Sequence, residues 1–304
     1  MGAPRAPREA AAWALGIAAM AMFGLTLPMT QLACGTAAAP QLSPLFVTCG
    51  RAVVAAVLSL GLLLATRSPW PQRRHWGPLA LAALGNAVGY PLLLAGALRS
   101  VSTQHAAVIT ALAPLLTALV AALVAHQRPP RRFWAAALLG GALVLGFSLW
   151  RAQQAGQGFV PSRADAGLAL GVLAASVGYV AGARVTPALG AERVICWVTL
   201  VALPVTLPGA LWFGAQQDWA AIRPSAWAGL ASVSLFSMWI GFFAWYRALS
   251  WGDAVRISQV QLLQPFFSIL AAWPLRGEQP ALATLGVALA VIASVAWGRS
   301  AARR

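Results

Sequence analysis

The second half of this chain repeats the first in outline, and this repeat limits how the chain can fold. Three residues of the first half recur in the second: Ala97, Pro114 and Pro129 correspond to Ala248, Pro265 and Pro280. The offset is 151 residues in each pair (248 minus 97, for example), about half of the 304 residues. A repeat of this size indicates one structural unit that is used twice. We therefore divide the chain into residues 1–151 and 152–304, called here the first and second units.

Each unit is a series of apolar segments long enough to cross a membrane. The chain is 60% hydrophobic and 9% charged, whereas a soluble domain carries roughly 25% charged residues. A membrane-spanning helix needs about 20 apolar residues. The segments of that length are Trp13–Leu32, Leu45–Ala65, Trp76–Leu98, His105–Ala125, Phe133–Trp150, Ala166–Pro187, Val194–Phe213, Ala226–Leu249, Ala254–Leu275 and Ala281–Trp297. These segments predict an all-α polytopic membrane protein with ten transmembrane helices.

The number of segments in each unit predicts the relation between the two units. Because each unit has five segments, an odd number, the second unit enters the membrane from the opposite side. Two inverted five-helix repeats are typical of secondary transporters, whose substrate site lies near the midplane between the repeats.

The positive charges predict the orientation in the membrane. All 21 basic residues are arginines, and the formal net charge is +15. With the N-terminus inside, 15 arginines fall at cytoplasmic ends and five at outer ends, while Arg51 lies within a segment. This asymmetry follows the positive-inside rule and predicts that both termini are cytoplasmic. The use of Arg without Lys indicates a GC-rich genome and favours a bacterium, so we expect a bacterial plasma (inner) membrane. The arginines flank apolar runs and form no basic face, so we expect no nucleic acid partner.

The residues around Pro265 resemble a motif of a known protein family. Trp245–Leu249 is followed by Gln264 and Pro265 and then by Gly277–Pro280, which reads Gly-Glu-Gln-Pro. The first unit departs from this pattern, because His126–Pro129 stands in place of Gly-Glu-x-Pro. Over essentially its whole length the chain resembles the EamA family of the drug/metabolite transporter superfamily. The resemblance implies ten spans around a central cavity walled by spans three, four, eight and nine.

The same resemblance implies a function. Members of the family with assigned roles mostly export amino acids or other small metabolites, so we expect export of such a metabolite by alternating access. The alternative is a membrane structural or lipid-scrambling component without a solute site. A transporter predicts a polar-lined central cavity, whereas the alternative predicts an apolar, filled bundle centre.

Polar residues within the spans are the first candidates for substrate contact, because they are costly in a membrane. Asn86 and Tyr90 are four residues apart and share a helix face, and Gln261 and Gln264 are three apart. The repeat places Ser237 at the position equivalent to Asn86. These side chains either bind substrate or hold helices together by hydrogen bonds.

Two prolines at equivalent places are the second set of candidates. A proline within a helix frees the carbonyl four residues earlier, which is that of Thr110 for Pro114 and that of Gln261 for Pro265. Such freed groups are tolerated in a membrane where they are buried in protein or line a wet cavity. The prolines are therefore either packing kinks or parts of the wall of a site.

Arg51 is the most specific single candidate. It lies several residues inside the second span, and a guanidinium keeps its charge in proteins. It needs a partner or a wet cavity, where it would bind a substrate carboxylate. The alternative is that its long side chain extends to the outer interface.

No pattern for catalysis or for a cofactor is present. The carboxylates lie at span ends or in the tail, the sequence has no acid pair or HExxH, and its three cysteines form no CxxC. We therefore predict no enzyme activity, metal or cofactor. The expected partners are the lipid bilayer and a small-molecule substrate. Small-residue runs such as 135–141 suit close helix packing, within the bundle or between the protomers of a homodimer.

Overall fold

A computed structural model describes residues 5–35, 39–97, 109–110, 112–126, 129–154, 156, 163–276, 286–287, 289–294 and 297. Within these residues the chain forms helices and no β-strand, and the only strand-like feature is an isolated bridge between Gly35 and Pro40. The prediction of an all-α fold is confirmed.

The first unit contains seven described α-helices and one π-helical segment. The α-helices are α1 (Arg5–Gly24), α2 (Thr26–Cys34), α3 (Pro44–Ala65), α4 (Arg73–Ala82), α5 (Tyr90–Ala97), α6 (Ala113–Val124) and α7 (Arg131–Gln154). The first π-segment, Ala83–Gly89, joins α4 to α5 without a break.

The second unit contains six described α-helices, a π-helical segment and two 3₁₀ segments. The α-helices are α8 (Arg163–Leu189), α9 (Ala191–Gly214), α10 (Pro224–Ser232), α11 (Gly241–Trp251), α12 (Ala254–Ile257) and α13 (Gln264–Arg276). The second π-segment, Val233–Ile240, joins α10 to α11. The 3₁₀ segments are Trp219–Ala221 and Ser258–Leu263.

Among the described residues, six helical stretches are long and apolar enough to cross a membrane. They are Arg8–Cys34, Pro44–Ala65, Arg73–Leu94, Arg163–Leu189, Ala191–Gly214 and Pro224–Trp251. Ala113–Val124 is a shorter apolar helix. Residues 105–108 and 111 of the predicted fourth span and residues 281–285, 288 and 295–296 of the predicted tenth lie outside the described residues. The total of ten spans and the inverted repeat stay predictions.

Apolar side chains cover the outside of the bundle. Val57, Leu64, Leu211 and Trp212 are each at least 65% exposed. A surface of this kind is stable against lipid and not against water. The chain is therefore a multi-pass membrane protein.

The two units pack against each other through equivalent elements. α3 of the first unit packs along α9 of the second, its counterpart in the repeat. α1 packs against α11, and α8 correspondingly packs against α4 and α5. α3 also contacts the second π-segment, and α9 contacts the first. The interior between the units is thus built from matched contacts.

The π-segments are themselves matched. The first ends at Gly89 and the second at Ile240, 151 residues later (240 minus 89). π-helical turns are rare, and they occur frequently at functional sites. An apolar sequence gives no sign of them, and they were not predicted.

The paired prolines lie where helical stretches change. Pro265 is the second residue of α13 and follows the 3₁₀ segment Ser258–Leu263. Pro114 is likewise the second residue of α6, and Leu112 forms a turn after the helical residues Ile109 and Thr110. The prediction that each proline marks a break in a helix agrees with these positions. Each proline lies in the first turn of the helix that follows the break, where proline is well tolerated.

Candidate functional site

Arg51 lies between the two units. It is the eighth residue of α3, a helix that starts at Pro44 and is capped by the Ser43 hydroxyl. Its Nη2 donates to Ser237 Oγ and to Met238 Sδ, each at 3.5 Å, and both acceptors belong to the second π-segment. Its Nε is buried without a hydrogen-bond partner. The side chain therefore points into the bundle and not towards the outer interface.

Two of the three tyrosines of the chain lie near this arginine, and the third lies near one of them. Tyr90 begins α5, Tyr179 belongs to α8 and Tyr246 belongs to α11. Tyr90 and Tyr179 are the neighbours of the Arg51 guanidinium, and Tyr246 is a neighbour of Tyr179. Three helices thus contribute phenol groups to this region.

Asn86 is bonded to the third of these tyrosines. Its Nδ2 donates to the Tyr246 hydroxyl at 3.1 Å, and both side chains are buried. Its Oδ1 is buried as well and has no hydrogen-bond partner. An unsatisfied buried acceptor is costly, commonly about 1–3 kcal/mol. Asn86 therefore keeps one acceptor that no protein group satisfies.

Two glycines of α8 make room for the Asn86–Tyr246 pair. A Cβ at Gly178 would lie 2.6 Å from Asn86 Nδ2, and a Cβ at Gly182 would overlap the Tyr246 ring. Glycines four residues apart let neighbouring helices approach closely in membranes. Here they fix the positions of two polar side chains that come from different units.

Ser237 makes the equivalent connection from the second unit to the first. Its hydroxyl lies 2.7 Å from Thr26 Oγ1, at the start of α2, in addition to its bond with Arg51. We use the name Arg51 centre for the following residues: Arg51, Asn86, Tyr90, Tyr179, Ser237 and Tyr246.

The Arg51 centre carries one formal charge. Among the described residues no carboxylate forms an ion pair with Arg51, since the ion pairs join Arg247 to Glu192 and Arg256 to Asp253. No group of three or more metal-ligating side chains exists in the described part of the chain. The centre is thus a cation surrounded by neutral hydrogen-bonding groups.

The other predicted site residues form a separate group, where α6 packs against the 3₁₀ segment Ser258–Leu263. Gln261 is buried, and its Nε2 donates to the Ser258 carbonyl at 3.2 Å. Pro114 is buried, whereas Thr110, Gln264 and Pro265 are half-buried. Within the described residues no hydrogen bond joins this group to the Arg51 centre. The predicted set therefore divides into two places.

Sequence reasoning missed Tyr246 and Gln259. Gln259 is buried, and its Nε2 has no hydrogen-bond partner. The sequence analysis selected Gln261 and Gln264 because they are three residues apart. The segment is a 3₁₀ helix, in which residues three apart eclipse, so Gln261 and Gln264 share a face and Gln259 lies on a different one. For Tyr246, the presence of only three tyrosines, all within predicted spans, was the available signal.

At the predicted outer ends, the two units are joined by glutamines. Gln41 Oε1 accepts from the Arg223 backbone N–H at 2.7 Å. Gln217 Oε1 accepts from the Ser43 backbone N–H at 3.0 Å. Each unit thus supplies one side chain to the loop of the other, and we call these two bonds the outer clasp.

At the predicted cytoplasmic ends, a cleft of about 450 Å³ lies between the end of α3 and the junction of α8 with α9. Arg247 forms an ion pair with Glu192 at its edge. The residues that line the cleft are Leu62, Leu63, Thr66, Leu189, Gly190, Glu192 and Arg193. A second cavity, of about 330 Å³, is almost wholly apolar and is lined by Ala142, Leu143, Gly146, Phe147, Trp150 and Val287. Neither cavity contains a predicted site residue.

Comparisons with known proteins agree with this architecture. A solved structure described only as "Crystal structure of protein" superimposes with a TM-score of 0.75 at 22% identity. The match covers 97% of this chain and 99% of that one, and it indicates a shared fold. A relative from Bacillus subtilis (strain 168), "Uncharacterized transporter YdeK", is 39% identical over 291 residues, which are 96% of this chain and 98% of the relative.

The family comparison matches each half of the chain separately. The EamA-like transporter family matches residues 10–149 and again residues 162–298. The resemblance seen in the motifs around Pro265 is confirmed. This chain belongs to the EamA-like transporter family.

Proposed function

We propose that this protein is a secondary transporter that exports small carboxylate-bearing metabolites, such as amino acids, by alternating access around the Arg51 centre. The observation that carries the proposal is the Arg51 guanidinium, which lies between the two units with no carboxylate partner among the described residues.

The physical reason lies in the cost of an unpaired cation. A charge taken out of water is expensive unless an opposite charge and hydrogen bonds compensate it. Arg51 has a weak bond to Ser237 and an unpartnered Nε. A carboxylate accepts from a guanidinium through two parallel bonds. A substrate carboxylate thus supplies Arg51 with the negative charge and the hydrogen-bond acceptors that the described residues do not provide.

Contacts between the units support the inverted arrangement. Asn86 of the first unit bonds to Tyr246 of the second, and Ser237 of the second bonds to Thr26 and Arg51 of the first. A site between inverted repeats near the bilayer midplane is the usual arrangement in secondary transporters. The proposal accordingly has two five-helix repeats, residues 1–151 and 152–304, in a bacterial inner membrane with both termini in the cytoplasm.

The two ends of the bundle support alternating access. The outer clasp closes one end with two hydrogen bonds. The equivalent place at the cytoplasmic end is a cleft of about 450 Å³. In the proposed cycle the clasp opens while the cytoplasmic cleft closes, so that the Arg51 centre faces one side at a time.

The polar interior argues against a component without a solute site. That alternative predicts an apolar bundle centre, whereas the residues of the Arg51 centre bring a guanidinium, an amide and four hydroxyl groups together. The second group of predicted residues (Thr110, Pro114, Gln261, Gln264 and Pro265) belongs to the wall of the pathway in this proposal.

Uptake into inside-out vesicles tests the proposed function. Vesicles that contain the protein should accumulate a radiolabelled small carboxylate, and Arg51→Ala should abolish most of that uptake at unchanged expression. Arg184→Ala removes an exposed arginine from α8 and is the matched control. Equal uptake by vesicles with and without the protein, over a panel of small carboxylates, would reject the proposal.

A further inference from the structure

We infer that the Arg51 centre selects small carboxylates that carry a net negative charge and one neutral N–H or O–H donor, such as 2-hydroxy acids, over zwitterionic amino acids. This inference rests on the proposed function and specifies its substrate class.

The count of charges carries the first step. The chain has six Asp and Glu residues in all. Five of them belong to described residues, and none of these five forms an ion pair with Arg51. The sixth, Glu278, lies outside the described residues and follows the predicted ninth span. The centre therefore has a formal charge of +1, which a monoanion neutralises and a zwitterion does not.

The buried surroundings make the difference in binding energy between a monoanion and a zwitterion large. Asn86 and Tyr246 are buried, and Arg51 Nε is buried, so the charges are weakly screened by water. Interactions between unit charges grow several-fold when the effective dielectric falls from that of water to that of a protein interior. The ammonium group of a bound amino acid would be repelled by Arg51, and among the described residues no carboxylate of the protein pairs with Arg51 to offset this repulsion.

The hydrogen-bonding groups carry the second step. Asn86 offers one unpartnered acceptor, Oδ1, because Tyr246 takes its Nδ2. Gly178 and Gly182 hold the two side chains against α8. A hydroxyl or amide N–H donates one bond, which Oδ1 accepts, whereas an ammonium has three donors to satisfy. One neutral acceptor thus matches a neutral donor.

Pairs of acids with the same carbon skeleton test the inference. Purified protein in liposomes is given radiolabelled 2-hydroxy acids and the corresponding 2-amino acids of three to six carbons at pH 7, against protein-free liposomes. We expect the initial rate for the hydroxy acid to exceed that for its amino acid by about tenfold in at least one pair, since tenfold corresponds to a small difference in free energy. A preference for the amino acid in every transported pair would overturn the inference while leaving the proposed function intact. Transport of neither acid in any pair would overturn both.

Variants that change the charge of the centre sharpen the test. Asn86→Asp keeps the shape and adds a negative charge, and the Tyr246 hydroxyl, which accepts from Asn86, would donate to the new carboxylate. The ratio of rates should therefore shift towards the amino acid by about tenfold. Gln216→Glu makes the same chemical change at an exposed position near the outer clasp and should leave the ratio unchanged. If Asn86→Asp is not inserted, Ser237→Asp replaces it, because it places a carboxylate beside Arg51 and should shift the ratio in the same direction. A variant that transports with an unchanged ratio contradicts the inference.

Discussion

Asn86 and Ser237 are 151 residues apart (237 minus 86), and they occupy equivalent places within two π-helical segments. Asn86 bonds to Tyr246 of the second unit, and Ser237 bonds to Thr26 and Arg51 of the first. Each π-segment thus presents a polar side chain to the opposite unit. A π-turn contains one more residue than an α-turn, which changes the direction in which the following side chains point. This relation connects the repeat in the sequence to the Arg51 centre.

The fit of Tyr246 against α8 predicts a steric effect. In Gly182→Ala the new methyl group would overlap the Tyr246 ring, which is fully buried and has no room to move. We expect the free energy of unfolding to fall by about 1–3 kcal/mol, the usual cost of overpacking. This loss should appear as a lower melting temperature of the detergent-purified protein.

A second glycine of the same helix is the control for this experiment. Gly167 also belongs to α8, but a Cβ there meets no atom within 4 Å. Because alanine is the better helix former, Gly167→Ala should leave the melting temperature unchanged or raise it slightly. Equal melting temperatures for the two variants would mean that α8 and α11 are farther apart than described.

The hydrogen bond between Asn86 and Tyr246 predicts an effect on affinity. Tyr246→Phe keeps the ring but removes the hydroxyl that accepts from Asn86 Nδ2. The amide then loses its fixed orientation, and we expect the apparent KM for substrate to rise about five- to tenfold, as for a lost buried hydrogen bond. Initial rates in vesicles across a range of substrate concentrations measure this change.

A double-mutant cycle separates this effect from general damage. In an Asn86→Leu background the partner amide is already absent, so Tyr246→Phe should add little further change in KM. Additive effects of the two substitutions would indicate that the hydroxyl acts through some other group.

The sequence predicted the spans well where apolar length alone decides them. The second span was expected at Leu45–Ala65 and is Pro44–Ala65, because about 20 apolar residues in a row leave little freedom in a membrane. Arg51 was selected as a candidate because a charge within such a run is rare. Asn86 and Tyr90 were selected because polar side chains within a span are costly.

The contacts between the residues of the Arg51 centre could not be predicted from the sequence. Asn86 and Tyr246 are 160 residues apart in the sequence. Their hydrogen bond depends on the space left by Gly178 and Gly182 of α8, and in the sequence these glycines indicate only close packing without naming the neighbour. The π-segments were hidden because a helix that is apolar on every face has no periodicity from which its pitch can be read.

Arg51 predicts a graded response to substitution. Arg51→Lys keeps the positive charge but loses the two parallel N–H groups that bind a carboxylate. We expect transport by this variant to lie between that of the wild type and that of Arg51→Ala. If Arg51→Lys is as inactive as Arg51→Ala in vesicle uptake, the geometry of the guanidinium matters more than its charge.

The arginine asymmetry predicts where the chain ends. Fifteen arginines lie at one set of predicted helix ends and five at the other, which predicts that both termini are cytoplasmic. A reporter enzyme that is active only outside the inner membrane, fused after Arg304, should therefore give no signal. A strong signal from this fusion would mean that the number of spans is odd.

The paired prolines predict an effect on the rate of conformational change. Pro114 and Pro265 each begin an α-helix, in units that we propose are inverted, and α13 packs against α1 across the unit boundary. Replacement by alanine adds a backbone N–H in the first turn and removes no existing hydrogen bond, so the helices should still insert and fold. The substitution does free φ from the value that proline fixes, which loosens the change of direction at each helix start.

Conformational steps often limit turnover, so we expect Pro114→Ala and Pro265→Ala to lower kcat about three- to tenfold with little change in KM. Initial rates across substrate concentrations, normalised to the amount of inserted protein, decide the matter. Wild-type turnover in both variants would assign the prolines to packing and would remove these helix starts from the moving parts of the transporter.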